Sequence, residues 1–457
     1  MGTAYEEFLA RKVIRAPDAG LDRIPDLHPG LFDFQRHCVE FALRKGRSAL
    51  FLGTGLGKTF CQLETMKHAA ANVGAPALIL APLAVAWQID REGKARGYDC
   101  RVVREQGEVG PGINVCNYDR IDHLDPGAFG AVSLDESSIL KAMVGKTARA
   151  LIDAFAATPF RLCATATPAP NDHMELANHA AFLGIMSPNE MLSRWFINDT
   201  STASQSWRLK GHATDSFWQW VASWARMAQS PEDLGFDGSA FDLPPLNVVR
   251  HRLATVVKSM GDLFATSVSA TGIFEVKRQT MAARVDAAAG VVNSANGEPW
   301  LVWCDTDAES SALVASIPGA VDVRGSHPAE LKERRIVDFA AGEQRVLITK
   351  PKIAGFGMNF QHCARMAFVG RTFSYEAYFQ AVRRCWRFGQ KRPVEVHLVT
   401  DGAEDQIGQA LDRKAAQHQE MLASMSKHMR AAIETDARRL AAYKPTHKGG
   451  MPSWLSA

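Results

Sequence analysis

The chain holds no Cys-x-x-Cys pair. Its eight cysteines, at 38, 61, 100, 116, 163, 304, 363 and 385, lie far apart, so a zinc site built on paired thiolates is not expected. Most fall in apolar, strand-like runs and read as buried thiols in a reducing cytoplasm. Long hydrophobic runs are missing too. The longest, around Ala77 to Trp87, contains Pro82 and is far too short to cross a bilayer. Met1 to Asp18 has charges from residue 6 onward and no apolar core, which argues against a signal peptide. A soluble, cytoplasmic protein is expected. No internal repeat of fixed period stands out. A strong charge of one sign is also absent: a net +3 is too small to argue for nucleic acid by itself. The charge is unevenly spread, however. Residues 413–448 carry eight Lys/Arg against three Asp/Glu, which suits either a solvated helix face or one turned toward nucleic acid.

What is present is the composition of an ordinary globular protein, 46% hydrophobic and 22% charged, and 457 residues give room for about two or three domains. Strand-like apolar runs alternate with helical patterns at 48–52, 77–81, 113–116, 130–134 and 160–164, then again at 300–304, 320–323, 345–349, 366–369 and 394–399. Continuous apolar strands between helices argue for a parallel sheet covered on both faces. The set occurs twice, so the expected fold class is α/β with two lobes. Between them, at roughly 173–235, lies a polar stretch of helical pattern with Trp195, Trp207, Trp218, Trp220 and Trp224. It gives way to Asp242-Leu243-Pro244-Pro245-Leu246, whose prolines cannot continue a helix and suit an extended connector. After Asp405 the pattern is helical to about Tyr443, and the tail 444–457 reads as irregular.

Leu52-Gly53-Thr54-Gly55-Leu56-Gly57-Lys58-Thr59 follows a short apolar run and opens a helical pattern. This is the context of a phosphate-binding loop. Glycines let backbone N–H groups point at phosphate oxygens, Lys58 supplies a point charge to the β- and γ-phosphates, and the Thr59 hydroxyl suits Mg²⁺. Ala131-Val132-Ser133-Leu134-Asp135-Glu136 then delivers two carboxylates to the end of a strand. Phosphoryl transfer from ATP needs one carboxylate for hydrated Mg²⁺, here Asp135, and a group to orient the attacking water, here Glu136. Thr165-Ala166-Thr167-Pro168 leaves the next strand, where small hydroxyls can bond the acidic pair. In the second lobe, Gln380 to Gln390 places Arg384 and Arg387 three apart, on one face of an expected helix. Their fork geometry suits a γ-phosphate in the transition state.

Taken in order, these motifs resemble those of superfamily-two helicase-type ATPases, and within them the Swi/Snf-type double-stranded DNA translocases. Gly55-Leu56-Gly57-Lys58-Thr59 resembles their first motif, Ala81-Pro82-Leu83 with Trp87 the next, and Asn117-Tyr118 the short one that follows. Asp135-Glu136-Ser137-Ser138 with Lys141 resembles their Asp-Glu-Ala-His-type motif, and Thr165-Ala166-Thr167-Pro168 with Asn171 their third. Gly355-Phe356-Gly357-Met358-Asn359 resembles the fifth, and the Gln-Ala-x-x-Arg-x-x-Arg-x-Gly-Gln pattern at 380–390 the sixth. Phe34-Gln35 resembles the aromatic-glutamine pair that reads adenine. The matches run from about residue 31 to 400.

The resemblance implies two RecA-like lobes: 1–172 binds ATP, 173–246 is a helical insertion and linker, 247–402 is the second lobe, and 403–457 is a helical segment and tail. It implies ATP and Mg²⁺, with Gln35, Gly55, Gly57, Lys58, Thr59 and Gly357 at the nucleotide. It implies duplex DNA as partner, contacted near Pro82, Asn117, Lys350, Lys352 and Asn359. The chain departs from the pattern at Leu52-Gly53, where Asp-Glu is usual, at Lys350-Pro351, where Ser-Thr is, and at Cys385-Trp386. Its compactness and the Lys-Pro-Lys before the glycines resemble a phage or prophage branch, which would place it in a bacterial host cytoplasm. The tryptophans at 195–224 suit either stacking on unpaired bases or, from their helical spacing, a core. An ATP-driven motor on duplex DNA is expected. A strand-separating DNA or RNA helicase and a nucleotide-gated DNA clamp are the alternatives.

Overall fold

The computed structural model describes residues 15–141, 145–169, 173–199, 206–253, 270–295, 297–354, 359–369, 374–400, 416, 422–431 and 433. Two parallel sheets organise them. The first contains β1 (Arg47–Leu52), β2 (Ala77–Ala81), β3 (Cys100–Val102), β4 (Ile113–Asn117), β5 (Ala131–Asp135) and β6 (Phe160–Ala164). β2, β5 and β6 are buried at every position, as a strand covered on both faces must be. Successive residues serve opposite cores: Ala49 and Phe51 face one, Leu50 and Leu52 the other. The second core is closed by helices α1 (Asp33–Lys45), α2 (Lys58–Val73) and α3 (Leu83–Ala95).

The first core is closed by the Trp-rich stretch. Trp195 stacks on Trp220 with centroids 4.8 Å apart, and Trp220 meets Trp224 edge-on at 5.4 Å. Trp195, Trp218, Trp220 and Trp224 are all buried, and Trp207 packs against the same cluster. Trp195, Trp218, Trp220 and Trp224 are core, as their helical spacing suggests, and buried there they are not placed to stack on a base. The stretch also holds more than helix. It contains an antiparallel hairpin, β7 (Phe196–Asp199) with β8 (Ser206–Leu209), and β9 (Ala225–Ala228), which pairs in parallel with β1. The first sheet therefore has seven strands in the order β3-β4-β2-β5-β6-β1-β9. Residues 225–228, expected in an insertion between lobes, are its edge.

The second lobe comprises β10 (Leu246–Arg252), β11 (Trp300–Trp303), β12 (Ala320–Val323), β13 (Val346–Thr349), β14 (Arg365–Val369) and β15 (Val394–Thr400), in the order β10-β15-β14-β11-β13-β12. Both sheets carry the doubly covered, parallel α/β architecture expected of RecA-like lobes. The Pro-Pro connector is tied to the second lobe: Trp386 Nε1 donates to the Pro244 carbonyl at 2.7 Å, and Val394 N to that of Pro245 at 2.9 Å. From the C-terminal segment, helix 422–431 lies back on the first lobe. Met425 and Met429 are buried in its core, and Met227 N on the edge strand β9 donates to Met429 Sδ at 2.9 Å. All eight cysteines are buried thiols. Among the described residues no helix is long and apolar enough to cross a membrane, and no His/Cys/Asp/Glu cluster could hold a metal by itself.

Candidate nucleotide cleft

A cavity of about 460 Å³ lies between the lobes, and the motif residues line it from both sides. From the first lobe comes the loop after β1. Gly55 and Gly57 adopt φ of +95° and +77°, the left-handed region that glycine enters without strain. The second position is also tight: a Cβ on Gly57 would lie 2.2 Å from Gln35 Nε2. Lys58 opens α2, and its ammonium donates to the Leu52 and Gly53 carbonyls at 2.8 and 3.4 Å. Burial pushes its pKa down to about 8, against the opposing pull of Glu136 and Asp135. A polyanion in the cleft would restore a full charge there. Thr59 lines the same space.

Asp135 ends β5 and is buried. Its Oδ1 accepts from Gln62 Nε2 at 2.8 Å, while Gln62 Oε1 accepts from Ser133 Oγ at 2.7 Å. Tyr118 OH donates to the Asp135 backbone carbonyl at 2.8 Å. Burial raises the Asp135 pKa to about 6; the Gln62 hydrogen bond opposes the rise and Glu136 adds to it. Glu136 has a φ of +58°, rare for a non-glycine residue. Its Oε1 accepts from Thr165 Oγ1 at 2.6 Å, Ser138 Oγ at 3.1 Å and, across the cleft, Gln380 Nε2 at 3.3 Å. The structure thus brings the third motif onto the acid pair, as its small hydroxyls suggested. Ser133 and Tyr118 belong to the motif stretches Ala131 to Glu136 and Asn117-Tyr118, whereas Gln62 lies outside every motif. The position of Gln62, one helical turn after Lys58, still points toward the site.

The second lobe supplies the arginines from a turn, not from a helix face. The helix Tyr375–Val382 stops before them, and Arg384, Cys385 and Trp386 donate backbone bonds to Ala381 and Val382. The expected shared helix face is therefore absent, because the chain tightens into turns that end at Gly389, with φ +88°. Both side chains still reach the cleft. Arg384 Nε donates to the Gln380 carbonyl at 3.2 Å, and Arg387 Nη1 donates to Asn359 Oδ1. Burial lowers their pKa values to about 9 and about 10, and both stay cationic at neutral pH.

The remaining expected positions fall in several places. Gln35 is buried. Its Oε1 accepts from Phe32 N at 3.1 Å and its Nε2 donates to the Leu56 carbonyl at 3.0 Å. Pro82 caps α3 and Asn359 accepts from Arg387; both line the cavity between the lobes. Asn117 caps the 3-10 turn Tyr118–His123. Lys350 pairs with Asp307 at 2.9 Å. Lys352 lies in the short helix Pro351–Ala354, its side chain outside the description, and Gly357 lies outside the described residues. Of the basic stretch 413–448, only 416, 422–431 and 433 are described.

Residues 283–389 match the helicase conserved C-terminal domain family. This covers most of the second lobe, including Gln380, Arg384 and Arg387, and it bears out the helicase-type resemblance read from the motifs. No curated protein sequence matches the chain. Among solved structures, the SWI2/SNF2 ATPase core of Sulfolobus solfataricus in complex with dsDNA is similar over 93% of this chain and 98% of that one, at 14% identity and a TM-score of 0.41.

Proposed function

We propose that this helicase-like protein is an ATP-driven motor on double-stranded DNA. One observation carries the reading: the phosphate loop and acid pair of one lobe, and the two arginines of the other, line a single cleft bridged by the Gln380–Glu136 hydrogen bond. A site whose parts come from two lobes is complete only when they close, so nucleotide state and lobe position are coupled.

Lys58 and the N-terminus of α2 would hold the phosphates. Thr59 and Asp135 fit Mg²⁺: a hydroxyl at a helix start and a buried carboxylate that a cation would ionise. An ion held there would supply positive charge to the phosphate oxygens. Glu136, oriented by its three donors, takes the position to polarise water. Arg384 and Arg387 meet the negative charge of the transition state from the opposite wall. The Swi/Snf-type branch is favoured by the pattern at 380–390, which implies travel along the duplex without strand separation.

ATP turnover measured with duplex DNA, single-stranded DNA and RNA at matched salt tests the reading. Stimulation by duplex DNA above the other two is expected. Stimulation by RNA alone would assign the protein to the strand-separating helicases, and a lack of turnover with every nucleic acid would leave a nucleotide-gated clamp.

A further inference from the structure

We propose that Glu64, on α2, is a positioning residue for the nucleobase: by holding residues 28–32 it shapes the end of the cleft that receives the base. The proposal rests on the ATPase reading and adds a residue that none of the motifs contains.

Glu64 lies two residues past Gln62, on the helix that begins with Lys58, and its side chain is fully buried. One carboxylate takes three donors. Oε1 accepts from His28 N at 2.7 Å and faces His68 Nε2 at 2.9 Å, while Oε2 accepts from Tyr98 OH at 2.5 Å. Burial opposes its ionisation, yet the donors from His68, Tyr98 and His28 prevail and hold its pKa at about 2. The anion is therefore a permanent anchor over the working range of pH.

What it anchors is the segment that walls the cleft. His28 Nδ1 accepts from Gly30 N at 3.0 Å, which folds the segment into a turn, and the His28 ring meets Phe60 edge-on at 5.1 Å. At the far end of the segment, Phe32 N is held by Gln35 Oε1, and Gln35 in turn bonds the Leu56 carbonyl of the phosphate loop. The segment is thus clamped at its start by Glu64 and at its end by Gln35. The first clamp belongs to the phosphate-loop helix and the second bonds the loop itself. The base wall is therefore tied at both ends to the elements that carry the phosphate loop.

The chemistry of the lining divides the cavity. Lys58, the acid pair and the arginines account for a triphosphate and its metal. The rest of the lining includes His28, Phe32 and Phe60, of which Phe32 is 46% exposed. Flat aromatic and imidazole surfaces take a purine by stacking. Their placement depends on where the segment starts, and the hydrogen bond from His28 N to Glu64 sets that.

A merely structural brace would weaken every ligand alike or lower the melting temperature. A base-positioning residue acts only on ligands that have a base. The test uses the full chain, wild type and Glu64→Gln, with Tyr98→Phe as a milder variant that removes one donor and leaves the carboxylate. Equilibrium competition against a fluorescent ATP analogue measures ATP and inorganic tripolyphosphate side by side, and steady-state turnover gives KM and kcat. For Glu64→Gln the affinity for ATP should fall about tenfold, the scale of losing a charged hydrogen bond. Tripolyphosphate affinity should stay unchanged, and kcat should stay within about twofold. Tyr98→Phe should shift ATP in the same direction by less. An equal loss for ATP and tripolyphosphate, or unchanged ATP affinity in both variants, overturns the proposal. The competition needs no turnover, so a wild-type protein that binds ATP but hydrolyses none refutes the ATPase reading and leaves this one to stand or fall on binding.

Discussion

Glu136 sits in the left-handed region at a cost, and three donors on one oxygen offset it. Glu136→Gln keeps an oxygen for all three and loses only basicity. ATP should still bind while turnover falls by about 10² or more, read by single-turnover hydrolysis beside a binding assay. Weak ATP binding here and normal binding in Asp135→Asn would mean that the two carboxylates have exchanged roles. Asp135 has a signature of its own. Its folded pKa, about 6, lies above the ordinary carboxyl value of 3.8, so the folded state holds the proton more tightly. Stability from this group is complete below the ordinary value, and it is lost as pH rises through about 6. Asp135→Asn retains the Gln62 contact and removes that loss. It should melt higher than wild type at pH 8, by a margin on the order of 1–3 kcal/mol, with the difference vanishing near pH 4. A constant difference across that range in thermal melts would show that Asp135 titrates normally.

At the scale of elements, the strands that carry chemistry were legible because buried parallel strands are unbroken apolar runs. All ten expected runs fall on strands. Those missed lie where that signal fails. β3 has only three residues, and β10 is an exposed edge whose Val-Val-Arg-His-Arg does not look buried. β9, Ala-Arg-Met-Ala, is hidden among helix-forming tryptophans. The site was legible where residues sit in motifs at strand ends, as with Thr165 and Glu136, and not where the fold joins residues outside the motifs, as with Gln62 to Asp135 or Glu64 to His28. The helix at 422–431 shows the same division. Its amphipathic spacing was visible, but not that Met425 and Met429 would cover the edge of the first sheet. Two methionines suit that irregular ground, since the side chain adapts its shape and its sulfur can accept from Met227 N. Met429→Asp puts a carboxylate into that buried contact and should cost about 2–4 kcal/mol of docking. Hydrogen exchange should then rise in 422–431 and in β9 together, with the second sheet unaffected. Unchanged protection of both would mean that the helix is held by other contacts, such as Arg430 on the Glu232 carbonyl.

For the whole molecule, the two lobes meet at a seam beside the candidate cleft. Phe388 of the second lobe stacks on Phe241 with centroids 4.5 Å apart and closes against Gly55 of the phosphate loop. Anything that grips both lobes at once would bias this seam, and under the proposed function a DNA duplex, continuous and rigid over several turns, would be such a ligand. Its grip should come mainly from phosphates, through Lys350, Lys352 and the stretch 413–448, where eight Lys/Arg stand against three Asp/Glu. Duplex DNA should therefore stimulate ATP turnover, and the stimulation should decline steeply with salt. Six to ten phosphate contacts would cost about 10³–10⁵ in affinity between 50 and 200 mM. Lys350→Ala should flatten that slope by about one contact, although it also removes the ion pair with Asp307. Motion along the duplex is read separately, by ATP-dependent displacement of a third strand from a triplex. Displacement is expected while a forked duplex of the same length stays paired. A protein that unwinds the fork and leaves the triplex intact separates strands, and the Gln380-to-Gln390 pattern would then not mark a duplex translocase.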